Sequence, residues 1–272
     1  MKGKRIKECI LKGLIYLSAF ITFGITLWII LHIFYKGIFN NGIFKTIDFK
    51  IILSSIGNTF FLVFLSIIIS APIGISSAIY LNEYAKDSKI VDFIRFAIQS
   101  LSGIPSIIFG LFGMIVFVIG LNFKWSILSG AFTLGLMILP IIITTTEEAL
   151  KSVPDTFREG SYALGASKFE TIMKVVLPSA LSGIFISIVL AIGRIVGETA
   201  AIYLTAGMVP RLANSILDSG RTLSVHLYIL AKEGISFEEA YLTASILIVF
   251  ILIINILTNK LAKKLDNKLN ID

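Results

Sequence analysis

The sequence predicts an all-α integral membrane protein with six transmembrane helices. The 272-residue chain is 56% hydrophobic, its mean hydropathy is +0.91, and 15% of its residues are charged, against about a quarter in an average soluble domain. These charges lie between long uncharged runs, and an apolar run of roughly 18 or more residues is typical of a membrane-spanning helix. The lysines and arginines occur mainly in the connections between runs, which is the pattern that orients a protein in a bilayer.

The first predicted span follows a basic N-terminal tail, residues 1–13. Its uncharged run, Leu14 to Tyr35, is longer than the apolar part of a signal peptide and ends in bulky side chains rather than small ones. We therefore expect a retained first transmembrane helix at 14–36.

Five further runs predict the other spans, because at 1.5 Å per residue each can cross a hydrocarbon core of about 30 Å. They are Ser54–Leu81, Phe96–Leu121, Ile127–Thr146, Pro178 to about Ala206, and Tyr241–Asn259. The run Phe96–Leu121 is interrupted by Gly103, Pro105, Gly110 and Gly113. Together these spans predict a core at 54–259 and a C-terminal tail at 260–272.

The distribution of basic residues predicts the orientation. With a cytoplasmic N-terminus, 16 lysines and arginines fall in inside segments and 7 in outside segments. This bias favours a multi-pass protein of the plasma membrane with both termini cytoplasmic. It places residues 147–177 inside and 207–239 outside, and long polar connections of this kind often bind partners.

Several other functions are disfavoured by composition. The net charge of +7 has no nucleic-acid footprint, since the basic residues do not form a cluster interleaved with aromatic ones. Cys9 is the single cysteine, and the two histidines are isolated, so we expect no disulfide, metal or cofactor. The sequence has no Gly-x-x-x-x-Gly-Lys-Ser/Thr loop. We therefore expect a protein that is not an enzyme, with any ATP hydrolysed by another polypeptide.

The inside segment 157–172 predicts a helix, a turn of small residues and a second helix. Glu159 is expected near the start of the first helix, where a carboxylate suits the helix dipole. Gly165 is expected at the bend, because glycine tolerates backbone angles that are closed to other residues. Phe169 and Ile172 are expected on one face of the second helix.

The same segment resembles the coupling motif of ABC importer permeases. It reads Glu159-Gly160-Ser161, then Gly165 after three residues, Val175 after nine more, and Leu177-Pro178 one residue later. The family motif is Glu-Ala-Ala, three residues, Gly, nine residues, Ile, one residue, Leu-Pro. The resemblance implies a type I ABC importer permease (MetI-like) fold with a cytoplasmic coupling helix. It also implies that Glu159, Gly165, Leu177 and Pro178 belong to the segment that docks on an ATPase. We call residues 147–177 the coupling segment.

The fifth span alone contains charges, Arg194 and Glu198. A charge in a membrane span costs roughly 2.5–3.5 kcal/mol on insertion scales and by default marks a functional site. The two residues are four apart, so they are expected to share a helix face and to pair. Arginine suits an oxyanion because its planar fork stays charged. The alternative is an ion pair that only makes both charges tolerable, although buried ion pairs stabilise poorly. Gly193 and Gly197 are expected to admit a close neighbouring helix.

The stretch 191–200 resembles the phosphate-specific branch of these permeases, the PstA-type subunits. Further stretches that resemble that branch are 79–85, 102–113, 139–150 and 222–228. The resemblance implies a translocation path for inorganic phosphate that includes Arg194, Glu198 and Thr199. It also implies a homologous permease subunit of PstC type, an ATPase dimer of PstB type and an extracytoplasmic phosphate-binding protein of PstS type.

Other functions stay open at this point. An ABC permease for sulfate, molybdate or phosphonate would keep the coupling motif and change the fifth-span element. In a secondary transporter, Arg194 and Glu198 would relay protons, but such folds often contain inverted repeats, and the sequence has none. A membrane scaffold leaves the paired charges unexplained. Polar residues of the third span either line the path or pack helices: Gln99, Ser100, Ser102 and Ser106.

Overall fold

The computed structural model describes residues 2–38, 48–85 and 88–269. Side chains are described for 11–38, 48–85, 88–258 and 260, so the prediction made for Cys9 lies outside them. In this part of the chain the secondary structure is helical. The helices are α1 (Lys2–Ile38), α2 (Phe49–Ile79), α3 (Lys89–Ser102), α4 (Ser106–Gly113), α5 (Ile127–Lys151), α6 (Asp155–Ala163), α7 (Lys168–Thr171), α8 (Leu177–Val196), α9 (Ala200–Thr205), α10 (Leu223–Lys232) and α11 (Phe237–Leu269). Three π-helical turns extend them, at Tyr80–Tyr84, Met114–Gly120 and Ile172–Val176.

The helices confirm a multi-pass membrane protein. Five stretches of the described residues are long and apolar enough to span: Leu11–Ile38, Phe49–Tyr84, Ile127–Lys151, Lys168–Val196 and Phe237–Thr258. A sixth is formed only if two helices count together, Lys89–Ser102 and Ser106–Gly120, which meet at an angle of 100°. The predicted third span is therefore not one straight helix. Pro105 disfavours helical backbone in the residue before it, and the bend lies there.

The described residues form two compact units. One unit contains α1 and residues 229–246. Within it, the His32 ring stacks on Trp28 with centroids 5.5 Å apart and meets the Tyr241 ring edge-on at 5.9 Å. The Ser245 hydroxyl donates to the Ile33 carbonyl at 3.3 Å. These contacts join α1 to the first part of α11.

The other unit, which contains 48–228 and the rest of α11, is centred on α5. Leu134, Ile138 and Ile142 of α5 are fully buried, and α5 packs mainly against α2 and α8. Gly74 of α2 permits the close approach, since a Cβ there would lie 2.6 Å from the Ile142 side chain. In lipid there is little hydrophobic drive between helices, so close packing through small residues is what joins them.

The start of α2 holds the loop between α9 and α10. The buried Asn58 amide donates to the Arg211 carbonyl at 2.8 Å and to the Arg221 carbonyl at 3.1 Å. Its oxygen accepts from the Ala213 N–H at 2.9 Å. Because a buried amide left unpaired is costly, these three bonds fix the loop against α2.

Candidate functional site

The fifth span is interrupted where the charged residues lie. Helix α8 ends at Val196 and α9 begins at Ala200, so the predicted continuous helix to about Ala206 is wrong. Ser224 donates to the Glu198 carbonyl at 2.6 Å, and the Ala201 N–H donates to the Glu198 carboxylate at 3.3 Å. Backbone groups at helix ends have no intrahelical hydrogen-bond partner. Here the Ser224 hydroxyl and the Glu198 carboxylate supply those partners. We call Gly197–Thr199 the α8–α9 break.

Arg194, Glu198 and Thr199 come together at this break. The expectation of a shared helix face is wrong because Glu198 lies beyond the end of α8. The two charges nevertheless pair, with Arg194 Nη2 4.0 Å from Glu198 Oε2. The Arg194 side chain is 49% exposed and that of Glu198 is 6% exposed. Thr199 is half-buried beside them. A pair at the limit of ion-pair distance leaves most of the five guanidinium donors available to a ligand.

The face of α8 that carries Arg194 is open. A Cβ on Gly193 would meet no atom within 4 Å, and one on Gly197 would meet only the Gly193 carbonyl at 4.0 Å. Within the described part of this unit, therefore, no helix makes the close approach that the two glycines were expected to allow. A surface of small residues in a span suits packing by another helix.

The coupling segment contains the predicted helix, turn and second helix. Gly165 joins α6 to α7 with φ of +85°, a left-handed conformation that side chains disfavour. Ser167 starts α7 with a capping box, in which its hydroxyl accepts from the Glu170 N–H at 3.3 Å while the Glu170 carboxylate accepts from the Ser167 N–H at 3.0 Å. Glycine and the capping box together fix the bend.

Two expectations for this segment are wrong in detail. Helix α6 begins at Asp155, which is the acid of its first turn, and Glu159 follows as an exposed residue further along α6. Phe169 is 64% exposed whereas Ile172 is 2% exposed, so they do not share a face.

The remaining predicted coupling residues lie on two elements. Gly165 is exposed in the turn, whereas Leu177 and Pro178 are half-buried in the first turn of α8. Large apolar side chains are also exposed in the coupling segment: Phe157 at 50%, Leu164 at 91% and Phe169 at 64%. Such exposure is typical of a surface that binds a partner.

Two ion pairs were missed by the sequence analysis, one buried and one between half-buried Arg95 and buried Glu147. Arg158 Nη2 lies 2.8 Å from Glu83 Oε1, and Arg95 Nη2 lies 3.0 Å from Glu147 Oε1. Lys151 also pairs with Glu147, at 2.8 Å. The available signal was the presence of opposite charges just beyond span ends on one predicted side of the membrane. Among the described residues no group of three His, Cys, Asp or Glu side chains is placed to hold a metal ion.

Residues 70–271 match the family described as "Binding-protein-dependent transport system inner membrane component". The chain belongs to this family of ABC transporter permeases. Its fold is similar to that of a solved bacterial alginate ABC transporter, with a TM-score of 0.71 and 18% identity over 96% of both chains.

Named relatives extend the comparison. The chain is 34% identical over 228 residues to the probable ABC transporter permease protein YqgI of Bacillus subtilis (strain 168), covering 78% of each protein. It is 32% identical over 255 residues to the phosphate transport system permease protein PstA of Haemophilus influenzae, covering 90% of each. A PstA homolog of Mycoplasma pneumoniae is 34% identical over 261 residues, and there the match spans 89% of this chain but 39% of the relative.

Proposed function

We propose that this chain is a membrane-spanning subunit of an ATP-driven importer and forms, with a homologous PstC-type subunit, the translocation path for inorganic phosphate. The observation that carries the proposal is the half-exposed Arg194 beside buried Glu198 and half-buried Thr199 at a helix break inside a span. Relatives named as phosphate transport permeases support the choice of substrate.

The chemistry of the α8–α9 break suits phosphate. The planar guanidinium of Arg194 can donate two parallel hydrogen bonds to two oxygens of an oxyanion. The carboxylate of Glu198 accepts hydrogen bonds, and inorganic phosphate retains at least one proton near neutral pH. Sulfate and molybdate carry no such proton, so they would present only lone pairs to Glu198. A site built to hydrogen-bond a substrate group rejects analogues that lack it. Glu198 also weakens the hold of Arg194, which favours release.

The coupling segment is the proposed docking site of a PstB-type ATPase dimer, which hydrolyses the ATP. Its exposed apolar side chains Phe157, Leu164 and Phe169 supply contact area, and Glu159 and Gly165 lie on the same helix and turn. Leu177 and Pro178 begin α8, so movement of the segment reaches the helix that carries Arg194 in its last turn. On the other side of the plasma membrane, residues 207–239 would meet an extracytoplasmic PstS-type phosphate-binding protein.

The test is uptake of radiolabelled phosphate by cells that lack other phosphate importers and express this chain with its partner subunits. Unlabelled phosphate should compete, whereas sulfate, molybdate and phosphonate at the same concentration should not. Competition by one of those anions, or uptake of that anion instead, would assign the path to a different oxyanion. A variant ATPase without its phosphate-binding lysine should abolish uptake. Persistent uptake that a protonophore blocks would instead indicate a secondary transporter.

A further inference from the structure

Arg158 joins the coupling segment to the ends of α2 and α5. Its Nη2 and Nε atoms donate to the two oxygens of Glu83 at 2.8 and 3.4 Å. Nη1 donates to the Val153 carbonyl at 2.8 Å and to Asp155 at 3.1 Å, and Nη2 also donates to the Leu150 carbonyl at 3.0 Å. All five N–H donors of the guanidinium therefore have an acceptor.

The pair is buried more deeply than an ordinary surface salt bridge. The Arg158 and Glu83 side chains are 13% and 5% exposed. The hydrogen bond to Glu83 raises the Arg158 pKa, against the opposing effect of burial. Apolar side chains of similar size often stabilise a protein as well as a buried ion pair does. Stability alone therefore does not account for two charges at this position.

A second contact links the coupling segment to the end of α2. The Lys168 ammonium lies 5.1 Å from the centre of the Tyr84 ring, a distance at which a cation is attracted to an aromatic face. The Ser161 and Thr171 hydroxyls are 2.9 Å apart and connect α6 to α7. Both helices of the coupling segment thus contact the π turn Tyr80–Tyr84, which continues α2.

The opposite end of α2 is anchored as well. Asn58 bonds the carbonyls of Arg211 and Arg221 in the loop after α9. Asn58 and Glu83 are 25 residues apart on one helical stretch, which is about 37 Å at 1.5 Å per residue. One continuous helix therefore connects the coupling segment with the loop that precedes α10.

We infer that the Arg158–Glu83 ion pair is the joint through which movement of the coupling segment reaches α2. This inference rests on the proposed function, because the movement is the one that the ATPase imposes. Arg158 and Glu83 are then positioning residues. Neither lies at the α8–α9 break, and both determine whether α2 follows the coupling segment. The Tyr80–Tyr84 turn fits this role, since single π turns in helices occur frequently at functional sites.

The experiment uses the complete transport complex in lipid vesicles, with phosphate-loaded binding protein, and compares Arg158→Lys and Glu83→Gln with the wild type. Both variants keep roughly the size and polarity of the original side chain but lose the bidentate ion pair. The lysine ammonium cannot donate two parallel hydrogen bonds as the guanidinium does, and glutamine carries no charge. Phosphate uptake per complex should fall by about tenfold or more, which is the usual size of a lost coupling between two sites, because α2 then no longer follows the coupling segment. The ratio of ATP hydrolysis with loaded binding protein to hydrolysis without it should fall towards one.

Arg95→Lys is the matched control. Arg95 pairs with Glu147 at the same end of the unit and donates to the Leu81 carbonyl at 3.3 Å. It therefore joins α3 to the ends of α5 and α2, but it does not contact α6 or α7, the helices whose movement the Arg158–Glu83 pair is inferred to transmit. We expect Arg95→Lys to keep the hydrolysis ratio. If Arg158→Lys and Glu83→Gln are as abundant as the wild type and keep its phosphate uptake and its ATP hydrolysis ratio, the inference that this pair transmits the movement is refuted. If both fail to assemble, the pair is structural and the inference is equally overturned. Absence of phosphate uptake by the wild-type complex would instead refute the proposed function.

Discussion

Arg158 and Arg194 show how the surroundings of an arginine distinguish a positioning role from a ligand-binding role. Arg158 is 13% exposed and uses all five donors on the protein itself. Arg194 is 49% exposed, and its ion pair with Glu198 is at 4.0 Å. Because a guanidinium has five donors in a fixed fork, only Arg194 has donors left for a substrate.

Arg194→Lys should therefore reduce phosphate uptake strongly although it keeps the charge. We expect a loss of about tenfold or more, since lysine cannot supply the bidentate fork. Uptake of labelled phosphate, corrected for membrane abundance, is the measurement. A mild effect would indicate that only the charge matters.

The double variant Arg194→Leu, Glu198→Leu distinguishes a pair that handles substrate from an ion pair that only makes both charges tolerable. It leaves neither charge unpaired, so it should insert and assemble well. If the pair handles substrate, the variant carries no phosphate. Near-normal uptake would show that the pair only neutralises itself, and it would leave the membership of the permease family unaffected.

The charged residues of this site were partly predictable from sequence. Arg194 and Glu198 stand out because charges are rare inside an apolar run. Glu83 and Arg158 do not, since charges just beyond span ends are common and these two are 75 residues apart in the chain. Their pairing depends on how α6 folds back against α2, and local periodicity contains no information about that contact.

At the scale of elements, the coupling segment depends on one left-handed residue. Gly165→Val should leave the protein in the membrane but lower uptake and binding-protein-stimulated ATP hydrolysis together. A β-branched side chain at φ of +85° costs about 1–3 kcal/mol, and the bend between α6 and α7 would open. Both activities would be measured in the purified complex alongside assembly with the ATPase.

Gly160→Ala is the control for that variant. A Cβ at Gly160 would meet no atom within 4 Å, and alanine favours a helix by about 1 kcal/mol relative to glycine. This change should leave coupling intact. Normal coupling in Gly165→Val would show that docking does not need this bend.

Other elements were predictable to different degrees. Hydropathy located the spans because a run of apolar residues is a local property. The bend between α3 and α4 was signalled by Gly103 and Pro105. The end of α8 could not be predicted from local sequence. Ser224, whose hydroxyl donates to the Glu198 carbonyl just beyond that end, lies 26 residues from Glu198. Tertiary contacts of this kind override local helix preference.

At the scale of the whole unit that contains residues 48–228, the loop after α9 and the coupling segment are bonded to opposite ends of α2 and α5. Asn58 of α2 and Ile127 of α5 bond the loop after α9, the latter through its N–H to the Asp218 carbonyl at 2.9 Å. Glu83 and Leu150, near the far ends of α2 and α5, bond Arg158. If α2 crosses the bilayer, the loop and the coupling segment face different compartments.

The charge bias predicts those compartments, with the loop outside and the coupling segment in the cytoplasm. Thiol labelling tests this in a Cys9→Ser background. Leu217→Cys is suited to the loop because Leu217 is 56% exposed, whereas neighbouring Asp218 holds the loop through the N–H groups of Asn214 and Ser215. Ser152→Cys, at an exposed residue of the coupling segment, is the matched site.

In intact cells an impermeant maleimide should label Leu217→Cys, and it should label Ser152→Cys only after permeabilisation. The reverse pattern would invert the orientation and move the proposed ATPase docking site to the wrong side of the membrane. Labelling of both sites in intact cells would show that α2 and α5 do not separate the two compartments.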